Sequence, residues 1–345
     1  MFRVGLNPYG LAYTLGMQGA GTPRANEHPV GMAGFVAAAR EVGAQCIELD
    51  GRWLGAMPDD ELARVRDDLA GDVVICSYWL AQQPGETLAE AIRQTTAIGA
   101  GMIRLHLTPV LEGARAHWGA RWGEMVAHGR ATLTREAVRA ADAGLVLAIE
   151  DHQDLGSEEL VEISEEAGEN VGVIFDTGNP FAVGEDPVAF ARRASHRIRH
   201  VHLKDYVAQP TDEGYRLVRC AIGDGCVPFR EIAAVLESHT PPLTASIEPG
   251  ALESRHIRLF TSEWWTGYPP RDARELGVAL GRLRQHRLSE DADFRTPWER
   301  GARGEEIVAY EMAQVRRSVE NLRAMGFMPR PSSGKKDTDK TDEHG

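Results

Sequence analysis

Four segments of the chain end in a residue able to ligate a metal: "LVLAIED" (145–151) at Glu150, "VGVIFDT" (171–177) at Asp176, "RHVHLKD" (199–205) at His202 and "LTASIEP" (243–249) at Glu248. If each is a β-strand with Ile149, Phe175, Leu203 and Ile247 turned outward, the four polar side chains point inward. Neighbouring strands lie ~4.8 Å apart, so four consecutive strand ends can converge on one point. Three crowded carboxylates repel one another unless a cation sits among them. With an imidazole they form a hard, oxygen-rich set suited to Mn²⁺ or Mg²⁺ and open to Co²⁺ or Zn²⁺. One divalent cation, Mn²⁺ first, is therefore the expected cofactor. His200 shares a face with His202 but stands one layer lower, where a buried, hydrogen-bonded support is expected instead of a ligand.

Such a centre acidifies the C–H beside a carbonyl, which opens epimerisation, isomerisation and elimination. His152, two residues past Glu150, is placed beside the metal without being needed as a ligand and is the candidate base. Lys204, in phase past His202, can steady an oxyanion or a ligand carboxylate. Alternation on "AQCIELD" (44–50) and "GMIRLHL" (101–107) turns Glu48, Asp50, Arg104 and His106 inward. Glu48 and Arg104 are expected to form a buried ion pair, and His106, nearer the mouth, to bind a substrate hydroxyl.

These residues need a scaffold that aligns strand ends. "FRVGLN" (2–7) and "DVVICSY" (72–78) bring the strand-like runs to eight, and helical patterns such as "GMAGFVAAAREVG" (31–43), "DDELARVRDDLAG" (59–71) and "ETLAEAIRQTTAIGA" (86–100) fill the gaps. That alternation predicts an α/β fold, a (β/α)8 TIM barrel. No GxGxxG follows the first strand and no GxxxxGK[ST] occurs, which removes the nucleotide-binding open sheet; no GxSxG supports a serine nucleophile. Long connections at 8–30, 206–229 and 250–272 all follow strand C-termini, the catalytic face of a barrel. In the last, Trp264, Trp265 and Tyr268 are expected either as an aromatic wall for a ring-shaped ligand or as an oligomer contact. The chain is predicted to be one catalytic domain over 1–327, with a helical extension at about 272–327 and a disordered polar tail at 328–345. A helix near 303–325, striped with Ile307, Tyr310, Met312, Val315 and Leu322, is expected to pack on the barrel or on a partner.

At 345 residues, with 43% hydrophobic and 26% charged side chains, the composition is that of a globular protein. The balance of 51 acidic against 38 basic residues, a formal charge of −13, argues against a nucleic-acid partner. No apolar run reaches spanning length and no signal peptide opens the chain, so no membrane role and a cytoplasmic location are expected. The four cysteines, without a CxxC pair, are expected as thiols.

"IED", "FDTGN", "HVHLKD" and "SIEPG", in this order, resemble the xylose-isomerase-like TIM-barrel superfamily of sugar isomerases and epimerases. The resemblance implies that Glu150, Asp176, His202 and Glu248 bind one divalent cation, and that Glu150 and Glu248 flank the substrate carbon that exchanges its proton. Many members carry a histidine where this chain has Asn179, so the resemblance implies that a supporting or substrate contact at Asn179 is altered. The stretch "GLNPYGLAYTLGMQGAGTPRAN" is similar to the large (α) subunit of bacterial C-glycoside deglycosidases. That similarity implies a lyase cleaving the C1–aryl bond of 3-oxo-C-glycosides by β-elimination, with a smaller β subunit as partner; a keto-sugar isomerase or epimerase is the alternative. An apurinic endonuclease fits less well, because "HLKDYVAQP" lacks that family's DxH. A non-enzymatic binding barrel would have no reason to keep clustered acids.

Overall fold

The computed structural model describes residues 2–55, 57–70, 73–80 and 88–329. Eight parallel strands close into a barrel: β1 (Arg3–Leu6), β2 (Cys46–Asp50), β3 (Val73–Trp79), β4 (Met102–His106), β5 (Val146–Glu150), β6 (Val171–Asp176), β7 (Ile198–Leu203) and, after an excursion, β10 (Thr244–Ile247). β10 pairs with both β7 and β1 and so closes the ring. The expected (β/α)8 barrel is observed. Ile149, Phe175 and Ile247 are fully buried and Leu203 is nearly so; outward packing is seen directly for Phe175, whose ring stacks on Phe190 of the helix Pro187–Ala194 at 5.1 Å. Burial of these apolar side chains between barrel and helices is the main driving force for the fold.

The long connection at 206–229 carries regular structure of its own. It begins as a hairpin, β8 (Tyr206–Thr211) and β9 (Gly214–Arg219), and β11 (Arg255–Ile257) from the last long connection adds antiparallel to β9. This small sheet is anchored by Asp205, whose carboxylate accepts the backbone N–H groups of Tyr206, Gly223, Gly225 and Val227 at 2.9–3.0 Å. A Cβ at Gly225 would fall 2.3 Å from the Tyr206 carbonyl oxygen, so only glycine fits there.

The helix Glu305–Met325 packs on its own barrel. Its buried Glu311 accepts hydrogen bonds from the backbone N–H groups of Tyr13 and Thr14 and from the Thr14 hydroxyl. Its Ser318 hydroxyl accepts from Ile222 N–H. One helix thus ties down the connections after β1 and β9. Met328 is buried in the core, so ordered chain continues past the expected start of the tail; residues 330–345 of that tail lie outside the described residues. Trp264 is buried, Trp265 and Tyr268 are half-buried, and none of the three lines the cavity over the metal cluster. Trp264 stacks on Tyr268 and meets Trp265 edge-on, and the three donate hydrogen bonds to the carbonyls of Glu112, Leu259 and Gly113, with the Arg115 guanidinium 3.9 Å over the Tyr268 ring. The four cysteines are free thiols. No described helix is long and apolar enough to cross a membrane.

Candidate metal centre

Glu150, Asp176, His202 and Glu248 each offer a ligand atom, and these atoms all lie within 4.8 Å of one another. The convergence depends on register. Asp176 of β6 and Ser246 of β10 both lie opposite His202 of β7, which places the imidazole centrally. Between β6 and β7 the ladder slips: Val173 faces Ile198 and Ile174 faces His200, which leaves Arg199 as an extra residue. Without that bulge Asp176 would lie opposite Val201 instead of His202.

His202 directs Nδ1 at the acids, 3.2 Å from Glu150 Oε1 and 2.9 Å from Glu248 Oε2, while Nε2 lies 3.0 Å from Glu48 Oε2. Glu48 therefore holds the outer nitrogen as the donor and leaves Nδ1 to ligate, the arrangement that fixes a metal-binding histidine. Removing the charge but keeping the shape, as in Glu48→Gln, is expected to weaken divalent-metal affinity by about tenfold, read by calorimetric titration of Mn²⁺. Glu48, His200 and His202 also lie close enough together to hold an ion. Both nitrogens of His200 are, however, engaged by hydroxyls, Nδ1 with Thr244 at 2.7 Å and Nε2 with Ser246 at 3.0 Å. His200 is thus the buried support its depth predicts, and burial holds it neutral, with its pKa down at about 3.

The electrostatics fit a cation. Burial, reinforced by Glu248 and Glu150 and opposed by Lys204, pushes the Asp176 carboxyl up to about 6. Burial and the neighbouring Asp176 push Asp151 well above the usual carboxylate range. Glu150 goes the other way: burial is outweighed by Arg104, His202 and His106, which hold it ionised. Burial would strip the proton from His202, but Glu48, Glu248 and Glu150 keep it on. Asp151 Oδ2 is a buried oxygen without a hydrogen bond, and the contact of Glu248 Oε2 is with His202 Nδ1 at 2.9 Å. Clustered carboxylates with one correctly turned imidazole are a donor set for a divalent cation.

The other expected residues fall in different places. Arg104 does approach Glu48, at 3.7 Å, but its close partner is Glu150, which it clasps through Nη2. His106 Nε2 lies 2.8 Å from Glu150 Oε2. Lys204 bridges Asp176 and Glu248, so its ammonium belongs to the cluster, and the side chain also lines the cavity above it. His152 is half-buried and stacks on His106 at 3.8 Å; its Nδ1 has no hydrogen-bond partner, and burial with the adjacent His106 keeps it neutral. Asn179 is set back from the mouth: its amide donates to the Asp151 carbonyl and accepts from Gln153, at 2.8 and 3.0 Å. Asp50 caps the turn after β2 and is gripped by Arg52.

A cavity of about 220 Å³ opens over the cluster, lined by Tyr9, Trp79, His106, His152, Glu248 and Arg255 among others. Sequence reasoning missed Tyr9, Trp79, Gln153 and Arg255. Trp79 ends β3 and stands edge-on to His106 at 4.5 Å, and an aromatic at a barrel strand's C-terminus is a readable signal. Arg255 comes from the added strand β11, and among the described residues its guanidinium has no ion pair or hydrogen bond. Gln153 adopts a left-handed backbone (φ 68°) and bonds to Asn179 and the Tyr206 hydroxyl.

The loop carrying His152 is held by Asp154, which accepts from the Thr108 hydroxyl at 2.7 Å and from Leu155 N–H at 2.9 Å. Burial pushes the Asp154 carboxyl up to about 6 from 3.8. The folded state therefore holds this proton more tightly than the unfolded chain does. The resulting stabilisation is complete below 3.8 and is lost as pH rises through about 6. Asp154→Asn is expected to remove that dependence and gain on the parent protein as pH rises across this window, as read by urea denaturation at several pH values.

A closed (β/α)8 barrel gathering three carboxylates and an imidazole at its C-terminal mouth has the architecture of a metal-centred barrel protein. The chain belongs to the xylose isomerase-like TIM barrel family, whose sequence profile matches residues 36–256. It is 31% identical over 144 residues to the inosose dehydratase of Clostridium botulinum (strain Alaska E43 / Type E3), covering 37% of this chain and 47% of that protein. The chain spans about half the length of the curated relatives it matches first. Among solved structures, D-psicose 3-epimerase in the presence of D-fructose superposes with a TM-score of 0.54 at 16% identity, covering 87% of this chain and 95% of that one. The IOLI protein with a bound zinc atom gives 0.50 at 14% identity, covering 83% and 96%. These two likenesses show the shared fold.

Proposed function

We propose that this chain is a divalent-cation-dependent lyase that removes the proton beside the carbonyl of a keto sugar or keto-cyclitol and expels a β-substituent. The observation that carries this reading is the four-residue cluster, which reaches a cavity through Glu248, with the neutral imidazole of His152 in the same cavity wall. A cation held by Glu150, Asp176, His202 and Glu248, Mn²⁺ or Mg²⁺ by the hardness of the set, would supply the electrophile that acidifies the C–H. The His152 imidazole takes that proton and returns it to the departing group: the C–H and C–X bonds break, C=C forms, and HX leaves. Glu248 is held ionised by Lys204 and His202 against its burial, so it orients substrate hydroxyls and is not itself an acid. Arg255 faces the same cavity and anchors the far end of the substrate.

The dehydratase relative supports elimination. The alternative, epimerisation, is favoured by the presence of two glutamates, Glu150 and Glu248, at one centre. Incubation with keto sugars and inososes in D₂O separates them by NMR. Elimination yields an unsaturated product and loss of the substituent, epimerisation yields solvent deuterium at an inverted carbon, and chelator stops either. Absence of both reactions with the Mn²⁺-loaded protein overturns the proposal. The C-glycoside deglycosidase reading is the narrow form of this elimination, with an aryl carbon as the leaving group and a small β subunit required. Its test is release of free aglycone from a 3-oxo-C-glycoside when that subunit is co-expressed.

A further inference from the structure

Glu248 stands one residue past β10, and its N–H donates to the Leu203 carbonyl at 2.9 Å. Pro249 follows it and has no N–H with which to extend the ladder. The barrel's own N–H ladder therefore stops at this residue, and the chain beyond it needs another tether. Arg219, the last residue of β9, supplies one. Its guanidinium donates through Nη1 to the Gly250 carbonyl at 2.7 Å, and Nη2 makes a longer contact of 3.5 Å with the Gly10 carbonyl.

The two glycines enclose the segment that follows the ligand. A Cβ on Gly10 would lie 3.1 Å from Pro249 Cδ, so the connection after β1 packs directly on the residue next to Glu248. A Cβ on Gly250 would lie 3.1 Å from Lys204 Cε, and the Lys204 ammonium in turn sits 2.9 Å from Glu248 Oε1. Gly250 also holds a left-handed backbone, φ 85°, which favours glycine. One guanidinium thus joins two backbone turns that both press on the surroundings of Glu248.

The position is a costly one for an arginine. Arg219 is 4% exposed, its Nε makes no hydrogen bond, and among the described residues no carboxylate pairs with it. Burial lowers its pKa, and Tyr310 and Glu311 offset this only in part. The Tyr310 ring covers the guanidinium at 5.5 Å. Taking a cation out of water without a counter-charge costs stability, so the contribution of Arg219 lies in what the two carbonyls hold in place.

We infer that Arg219 is a positioning residue for the metal centre: by fixing Gly250 and Gly10 it holds Glu248 where its carboxylate meets Glu150, Asp176 and His202. The inference rests on the proposed reading of these four side chains as cation ligands.

Mn²⁺ binding, followed by EPR of the free ion, tests it without turnover. Arg219→Met keeps an extended side chain but removes the hydrogen bonds, and its Mn²⁺ affinity is expected to fall about tenfold. Arg219→Lys keeps the charge and one carbonyl contact, so its affinity should lie between those of the parent and the Met variant. In a Glu248→Gln background the same Arg219→Met change should cost less than about twofold, because the carboxylate it positions is already gone. A residue that only braced the fold would lower the urea midpoint and leave the Mn²⁺ affinity of the folded protein unchanged; that result overturns the inference. So does an equal loss in both backgrounds, which would mean that Arg219 acts through something other than Glu248. If Arg219→Met does not fold, Arg219→Lys carries the same comparison, and parent-like affinity or an equal loss in both backgrounds again decides against the inference. A parent protein that binds no Mn²⁺ sinks the metal reading and the inference together, whereas a parent and a Met variant that bind equally well sink the inference alone.

Discussion

Alanine at position 202 is expected to leave the barrel folded but unable to retain a divalent cation, whereas alanine at 200 keeps the cation with affinity reduced by about 10–100-fold. The two histidines lie on one strand and one face, and both are fully buried, so burial alone does not distinguish them. Their partners do. His202 Nδ1 faces two carboxylates and its Nε2 is held by Glu48, whereas both nitrogens of His200 go to the hydroxyls of Thr244 and Ser246. Metal content after gel filtration, measured beside circular dichroism, is the check. Equal loss of metal from both variants would mean that Glu48, His200 and His202 form the true centre.

Replacing Arg104 by methionine is expected to cost about 3–5 kcal/mol of stability in the metal-free protein, because it leaves the buried Glu150 carboxylate without its main counter-charge. Both side chains are nearly inaccessible to solvent, at 3% and 0%, so water cannot take over the arginine's role. His106 also contacts Glu150, but burial and the adjacent Arg104 lower its pKa, so it is a weak substitute for the guanidinium. The double variant Arg104→Met/Glu150→Gln should recover much of the loss, since neither charge then remains buried. Urea denaturation in chelator measures both. A single-variant loss below about 1 kcal/mol, typical of exposed pairs, would show that the pair does not carry the mouth of the barrel.

Much of the site is legible in the chain because alternation is a local property. Whether Glu150, Asp176, His202 or Glu248 points inward follows from the apolar residue beside each, and that residue needs no knowledge of its neighbour strand. The strands, the closed barrel and the convergence of those four side chains were readable for that reason. The helix Glu305–Met325 was readable as an amphipathic stripe, but not the role of Glu311, whose carboxylate meets Tyr13 and Thr14 from the far end of the chain. The small sheet β8–β9–β11 was missed because β11 contributes only three residues, and its pairing with β9 joins residues 38 to 42 positions apart. Trp264, Trp265 and Tyr268 looked like a surface feature because composition does not reveal that Glu112, Leu259 and Gly113 offer them carbonyls.

What the amino-acid sequence determined by itself was the kind of centre: which side chains, on which faces, at which ends of which strands. Only the folded barrel decided the level at which they meet. The slip at Val173 and Ile174 lifts His202 to the height of Asp176. Register of this sort is set by the competition between two paired segments for hydrogen bonds and buried surface, a property of neither segment alone. The same holds for the partners: Arg104 chose Glu150 over Glu48, and Lys204 joined the acids, because barrel tilt brings side chains from different strands to one layer.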